Sequence, residues 1–509
     1  MNAVFKVLLL TAIIAVSQFL PVIEYNEMDA IPYGYALFNS SWLSNDWYLS
    51  QQISYRLPFG YVSGFFVHHF GFVPTIFFGR IFSYLLFSYA YHSLLRAAKT
   101  NFALGSIGLM LFFLFFPKGM YAGEWMIGGL ETKVFAYSFA LLALSASLKR
   151  NLGLVFLFSG ISFSLHLLIG GYHLICVTAI IVYQIVNQDI SFKATIKKSY
   201  GFLVGGFWGI VSVYAHFVDQ MSAELSHGWD IYVQVRVPFH VLPKLYFEAL
   251  LLPFLFSIFN VFMLVLTKNS LVRSLLFYVL SATAISGIGI FIYLFGDQSL
   301  LRYYFFRFSD VIQPFLSILI VGILLTERLT NLEFPKLQRA MRIALPIILF
   351  FSFTLFCIKN PENLKPFFNG DSYSSKAIIS RSSKDLEMAD WIKKNTSTTS
   401  VFVAPMGMET FYIDAERSLF VSWKHSPQRP SEMIEWYKRI LLLNKGEDLF
   451  AKNIDPKREV EKSYSRLSEN EILEIGRLYP EITHIIFPAA NELAFDEVHR
   501  TERFILYRL

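Results

Sequence analysis

The chain has 509 residues, of which 54% are hydrophobic, 17% aromatic and only 16% charged, with a formal net charge of +6 and a mean hydropathy of +0.46. Soluble domains carry roughly 25% charged residues, so this composition excludes an ordinary water-soluble enzyme and describes an integral membrane protein. The two cysteines, Cys176 and Cys357, both lie in apolar stretches and suggest neither a disulfide framework nor a metal site.

Along the chain, apolar stretches long enough to span a bilayer, or nearly so, fall at 4–23, 74–96, 102–117, 133–148, 152–168, 169–187, 199–216, 246–267, 274–296, 309–326 and 343–358. They predict about eleven transmembrane helices at roughly 20 residues each. The first carries only Lys6 near its start and no small-x-small cleavage site beyond its end. It therefore reads as an uncleaved membrane helix rather than a signal peptide. Residues 58–71 are too short and too glycine-rich to span, and fit an interfacial or re-entrant helix. Apolar character stops at Lys359-Asn360-Pro361. This divides the chain into a transmembrane domain, residues 1–358, and a domain of water-soluble composition, residues 359–509.

Charge sorts the loops. One set holds Lys6, Arg96, Lys99, Lys149, Arg150, Lys193, Lys197, Lys198, Lys268, Arg273, Arg328, Lys336, Arg339 and Arg342, against only Asp189, Glu327 and Glu333. The other set holds nearly all remaining carboxylates of residues 1–358. The positive-inside rule assigns the first set, and the N-terminus, to the cytoplasm. An odd number of spans then places residues 359–509 on the outer face, periplasmic or extracellular.

The first outer loop, residues 24–57, holds Glu24, Glu27, Asp29 and Asp46 with Trp42, Trp47 and Arg56. Carboxylates at a membrane surface are costly to desolvate, so four in one loop ask for a chemical reason. The second, 118–133, contains Glu131-Thr-Lys133; the third, 217–245, contains Arg236 and His240; the fourth, 297–310, contains Arg302 and Arg307. Arg80 lies a third of the way into an apolar helix near the same face, where a charge costs about 2.5–3.5 kcal/mol on insertion scales. Carboxylates offer a general base or a metal ligand. Arg and Lys beside a bilayer bind anions, and Arg grips phosphate oxygens in a bidentate way. Such a rim suits a lipid-linked phosphate donor, with its isoprenoid tail in the membrane, its phosphate on the cations and its sugar near the carboxylates. Plain structural roles compete: Arg302 and Arg307 snorkelling, Arg80 paired with Glu131 or Asp29, Glu131 and Lys133 paired at a helix start, Asp46 as a helix N-cap.

The last 150 residues alternate helix and strand. Helices are predicted at Ser383–Lys394, Glu432–Leu443 and Asn470–Leu478, and strands at 401–405, 418–423, 484–487 and 504–507. This is a small α/β layer domain. About 22 cations against 23 carboxylates make it near neutral and give no case for nucleic acid. The segment from Trp423 and Lys424 to Arg429 is its candidate acceptor-holding or capping element. No phosphate-binding Gly-rich loop, nucleophile elbow or HExxH motif occurs anywhere.

This layout, with the blocks Gly128-Gly-Leu-Glu131-Thr-Lys133-Val-Phe-Ala-Tyr137 and Arg417-Ser-Leu-Phe-Val-Ser-Trp423-Lys424, resembles the GT-C superfamily of integral membrane glycosyltransferases that use polyprenyl-phosphate sugars. The resemblance implies a mainly α polytopic membrane protein with a small C-terminal α/β outer-face domain. It implies a polyprenyl-phosphate-linked sugar and a glycan or lipid acceptor as partners, with a divalent cation, Mg or Mn, left open as cofactor. An acid of the first outer loop acts as base on the acceptor, or helps hold a metal, in that family. The role falls here on Glu27 or Asp29, with Asp46 or Glu131 as the second acid. Arg80, Lys133, Arg236, His240, Arg302 and Arg307 are the candidate donor-phosphate ligands, and Trp423, Lys424 and Arg429 the candidate acceptor contacts. The family's usual adjacent acids are split by Met28, and on a helix residues i and i+2 point about 200° apart. A transporter or flippase of a lipid-linked saccharide, or a non-catalytic assembly subunit, are the alternatives. Polar groups gathered at one rim rather than at mid-bilayer favour the enzyme.

Overall fold

The apolar stretches become helices, since a segment in hydrocarbon has to satisfy its own backbone polar groups. The computed structural model describes residues 2–19, 22–51, 56–218, 226–331, 335–359, 383–450 and 455–509. Its helices before the sheet are α1 (Ala3–Gln18), α2 (Glu27–Phe38), α3 (Leu57–Phe70), α4 (Phe72–Ala97), α5 (Phe102–Phe115), α6 (Thr132–Leu148), α7 (Leu152–Leu165) and α8 (Leu167–Val186). There follow α9 (Phe192–Lys198), α10 (Tyr200–Val218), α11 (Ser226–Asp230), α12 (Pro238–Val241), α13 (Leu251–Leu266), α14 (Ser270–Phe295), α15 (Arg307–Thr330) and α16 (Pro335–Lys359). Among the described residues five helical segments have the length and composition to cross a membrane: Phe72–Ala97, Leu167–Val186, Phe247–Leu266, Ser270–Phe295 and Arg307–Thr330. The other expected segments form shorter apolar helices.

Local chemistry sets several helix starts. Asn101, Asn151 and Asn269 each precede a helix and accept N–H groups of its first turn through the side-chain amide oxygen. The expected spans 152–168 and 169–187 divide earlier, at His166. Its extended backbone (φ −151°, ψ 104°) ends α7 and starts α8. Gly170 then allows close approach, because a Cβ there would lie 2.2 Å from Phe163 Cα.

The chain forms two compact units. The helical unit comprises Met1–Leu20, Gly79–Tyr214 and Phe239–Asn369. Within it α6 is buried on nearly all sides, and α7 and α8 are its main partners. The sheet-bearing unit comprises Pro21–Phe78, Ala215–Pro238 and Gly370–Leu509. It thus takes in the first polar loop and part of the third, in addition to the C-terminal region. Asn360 and Pro361, part of the expected domain boundary, lie outside the described residues.

The sheet has five strands: β1 (Val401–Val403), β2 (Ser418–Leu419), β3 (Ile482–Pro488), β4 (Asp496–Arg500) and β5 (Phe504–Arg508). Their order is β2-β1-β3-β5-β4. β1 pairs in parallel with β2 and β3, whereas β5 runs antiparallel to β3 and β4. Tyr33, Leu43, Tyr48 and Leu49 of the first loop share one core with Met388, Ile392, Phe402, Tyr412, Leu419 and Leu506. That shared core is why the loop belongs to this unit. Beside it α2 and α3 pack backbone to backbone: a Cβ on Gly64 would lie 2.2 Å from Gly34 O, and one on Gly34 would lie 2.4 Å from Ser63 Oγ.

Overpacking a close contact costs roughly 1–3 kcal/mol. Gly64→Ala is therefore expected to lower the melting temperature of the purified protein in detergent. Gly287→Ala, where a Cβ meets nothing within 4 Å, is expected to leave it unchanged or slightly raised. Equal melting of the two variants would contradict the packing.

Candidate functional site

In the helical unit the polar cluster is built on Asp310, in the first turn of α15. Its Oδ1 accepts the N–H groups of Met120 and Tyr121 (2.6 and 2.7 Å), and its Oδ2 those of Ala122 and Glu124 (3.2 and 3.0 Å). The segment wraps around one carboxylate because Gly119 and Gly123 take φ of +71° and +67°. A Cβ on Gly119 would lie 2.0 Å from Asp310 Oδ2. The wrap fixes Glu124, which is 2% exposed. Glu124 Oε1 lies 3.0 Å from Lys133 Nζ, and its Oε2 pairs with Arg307 Nε.

Lys133 belongs to the first turn of α6, and its Nζ stands 3.8 Å from the centroid of the Trp125 ring. Trp125 Nε1 donates to Glu131 Oε1 at 2.6 Å, and Glu131 lies 3.9 Å from Lys133. The Arg307 guanidinium rests 4.9 Å from the Tyr304 ring. His240, on α12, donates from Nδ1 to Ala122 O at 2.8 Å. Four sequence-nominated residues, Glu131, Lys133, His240 and Arg307, therefore meet around segment 119–124. Arg302 bonds within its own turn, donating to Ser299 O at 2.9 Å. Arg80 is buried, 5.4 Å from the Phe19 ring centre.

In the sheet-bearing unit Glu27 and Asp29 both sit in the first turn of α2 and both are buried. They serve different partners, as their helical spacing requires. Glu27 Oε2 accepts the N–H of Glu24 at 2.8 Å. Asp29 accepts the Tyr48 hydroxyl and pairs with Arg56. Burial raises the proton affinity of Asp29, but the Arg56 charge, with Lys424 next, outweighs it and holds the carboxyl well below the usual range. It is ionised at any physiological pH.

Behind this pair His425 donates from Nε2 to Met28 O at 2.9 Å, and its Nδ1 takes the Ser422 hydroxyl at 2.7 Å. Burial lowers its proton affinity, consistent with that neutral tautomer. Lys424 Nζ donates to Asn26 Oδ1 at 2.8 Å and lies 3.9 Å from the Tyr25 ring centroid. Arg236 donates to Ser426 Oγ at 3.1 Å and Lys424 O at 3.2 Å, and approaches the Trp423 ring to 6.0 Å. Arg236 therefore groups with Trp423 and Lys424. Arg429 precedes the helix Pro430–Leu443 and lies 3.7 Å from Glu432.

Asp46 fastens the first loop to the sheet. Its Oδ1 accepts Leu49 N–H and the Tyr412 hydroxyl (2.8 and 3.0 Å), and its Oδ2 accepts Leu419 N–H at 2.8 Å. Burial pushes its pKa up to about 6 in spite of these bonds. Among the described residues no three His, Cys, Asp or Glu side chains gather as a metal centre needs.

Sequence reasoning did not single out Glu124 or Tyr48, and it took in His425 only as part of the segment from Trp423 to Arg429. The available signal for Glu124 was its place beside Gly123, in a loop whose glycines at 119 and 123 permit the tight wrap.

Two outcomes follow. Glu124→Gln leaves Lys133 and Arg307 without their shared countercharge, and breaking a buried ion pair costs roughly 3–5 kcal/mol; a clear fall in melting temperature is expected, and none would contradict the cluster. Asp46 binds its proton more tightly folded (about 6) than unfolded (3.8), so its contribution is full below 3.8 and fades as pH rises to about 6. The amide in Asp46→Asn cannot titrate. The stability of wild type relative to that variant should therefore fall across the same window, and a difference that is flat with pH would contradict the burial.

A family model described as "Domain of unknown function (DUF6798)" matches residues 383–443. No curated protein matches the chain. Among solved structures, ArnT from Cupriavidus metallidurans in the apo state is 12% identical, with a TM-score of 0.51 over 99% of this chain and 97% of ArnT. The Archaeoglobus fulgidus oligosaccharyltransferase AglB, in complex with an inhibitory peptide and a dolichol-phosphate, is 10% identical, with a TM-score of 0.47 over 95% of this chain and 69% of AglB. The oligosaccharyltransferase complex with Zn and sulfate from the same organism gives 11% identity and a TM-score of 0.44 over 95% of this chain and 68% of the other. The match to ArnT, which extends over nearly the whole of both chains, gives the conclusion that this integral membrane protein shares the fold of ArnT.

Proposed function

We propose that the protein is an inverting glycosyltransferase that moves a hexosyl or pentosyl group from a polyprenyl-phosphate donor to a glycan or lipid acceptor at the outer face of the membrane. The observation that carries this reading is the pair Lys133 and Arg307 held on one buried carboxylate, Glu124. Departure of the sugar leaves a growing negative charge on the donor phosphate, and preorganised cations stabilise that charge more than the ground state. Glu124 keeps buried Lys133 and half-buried Arg307 aligned before a phosphate arrives. Arg80, His240 and Arg302 complete the proposed donor side, with Glu131 setting the Trp125 ring against Lys133.

The acid on the acceptor is Asp29, with Glu27 as the second candidate. Arg56 keeps Asp29 ionised, so it can take a hydrogen bond from the acceptor hydroxyl at any physiological pH. A carboxylate of such low proton affinity is a weak base. Weakness is tolerable where the anomeric carbon becomes oxocarbenium-like, because the hydroxyl then needs little deprotonation before it attacks. Arg236, Trp423, Lys424 and Arg429 form the proposed acceptor side, and Asp46 holds the loop that carries the acid. Loop charge supports a cytoplasmic N-terminus and an outer, periplasmic or extracellular sheet-bearing unit.

The test is transfer from radiolabelled polyprenyl-phosphate sugars in proteoliposomes. The double variant Glu27→Gln, Asp29→Asn is expected to lose transfer while still folding and inserting into the membrane. Lys133→Met is expected to lose about 10²-fold or more in rate, as for removal of one preorganised donor. Full activity in the double variant would overturn the proposal.

A further inference from the structure

The five-stranded sheet ends in a cavity. Strands β1 and β3 are parallel neighbours, so their carboxyl ends lie side by side. From β1 the chain crosses to β2 on one side, whereas from β3 it turns to β4 and β5 on the other. Between two strands whose connections diverge in this way an open α/β sheet leaves a crevice at the carboxyl ends, and such sheets bind their ligands there.

This crevice is a half-open cavity of about 270 Å³. Pro405 and Met408, just beyond β1, and Pro488, the last residue of β3, line it. Phe504 pairs with Pro488 at the start of β5 and brings Arg503 to the rim. Helix Pro456–Tyr464 adds Glu461 and Tyr464. The Tyr464 hydroxyl donates to Ile486 O at 2.5 Å and ties that helix to β3.

The lining selects the ligand. Small-molecule pockets span roughly 300–1,000 Å³, so this one takes a single ring rather than a nucleotide. Met406, Tyr464 and Phe504 supply apolar surface on which the C–H face of a sugar can pack. Among the described residues the lining carries one cation, Arg503, and one carboxylate, Glu461. Arginine only donates hydrogen bonds and an ionised carboxylate only accepts them, whereas a hydroxyl does both. A ring with several hydroxyls therefore satisfies the two together. An anion would face Glu461 and a cation would face Arg503, so the match is to a neutral sugar.

The cavity adjoins the proposed acceptor side within the same unit. Glu409, next to the lining residue Met408, pairs with Lys457 at 2.9 Å, and Lys457 lies 3.8 Å from Glu461. The charges of Glu409 and Lys457 reach the Tyr25 hydroxyl, which Arg236 bonds, and the Tyr25 ring carries Lys424. We infer that the cavity is a saccharide subsite, holding one neutral hexose or pentose ring of the acceptor beyond the sugar that reacts. The acceptor is then a glycan. That consequence rests on the proposed transfer, whereas the binding of a sugar here does not.

The test is saturation-transfer NMR on the full chain in nanodiscs, without donor, using methyl glycosides of glucose, galactose, mannose, N-acetylglucosamine and arabinose as probes. At Gly407 a Cβ would meet only Glu461 Oε1, at 3.8 Å, so Gly407→Trp is accommodated and fills the cavity. The wild type is expected to transfer saturation to at least one glycoside, and Gly407→Trp, with wild-type melting, to lose that signal. Should Gly407→Trp not fold, Arg503→Met decides, with a several-fold weaker signal expected. No signal from any glycoside in the wild type overturns the inference, and so does an undiminished signal in the variant. Transfer takes no part in the readout, so a failure here is distinguishable from a failure of glycosyl transfer.

Discussion

Charge buried among apolar helices persists only where it is matched, and the carboxylate of Glu124 is matched by Lys133 and Arg307. Removing ions from water is expensive, and their mutual attraction repays the loss only when geometry is good and remaining polar atoms are satisfied. The geometry comes from Asp310, which collects four backbone N–H groups and so prevents the 119–124 segment from moving independently of α15. A single carboxylate at the head of one helix thereby positions an acid and two cations contributed by a loop and two helices. An arrangement kept at this energetic expense is more readily explained by an anionic ligand than by stability, since apolar replacements serve stability as well or better.

The sheet-bearing unit solves a different problem. Asp29 stays ionised while buried, and Arg56 provides the field that keeps it so. Asp46, buried without a cation of comparable effect, shows the opposite response, and its proton affinity rises. Two carboxylates of one loop thus diverge because of what stands next to them. Asp29 is held as a charge, whereas Asp46 acts as a fastener between the loop and β2.

Much of the fold was legible in the sequence. Long apolar runs bounded by asparagine caps give helices, and each run expected to be helical is one. The C-terminal alternation gave the parallel strands β1 and β3 and the helix Pro430–Leu443. Other elements were hidden for physical reasons. β4, Asp496–Arg500, is an edge strand with little burial and so lacks apolar alternation. β2 is two residues long. Helix Pro456–Tyr464 did announce itself, through Asp455 as N-cap and Pro456 in the first turn, a signal the strand-and-helix count passed over. The candidate site was legible as a list of acids and cations but not as a grouping. Nothing in the spacing shows that Arg236 would join Lys424 and Trp423, or that Arg307 would join Glu124 and Lys133, because Arg236 and Arg307 each stand more than a hundred residues from those partners in the chain.

The account turns on where a lipid phosphate binds. A cryo-electron microscopy map of the full chain in nanodiscs with added polyprenyl phosphate tests this most directly. The account predicts phosphate density in contact with Lys133 Nζ and the Arg307 guanidinium, with the Glu124 carboxylate drawn back from at least one of them. Density against Arg236 and Lys424 instead, or an intact Glu124 ion cluster with no phosphate beside it at saturating lipid, would contradict it.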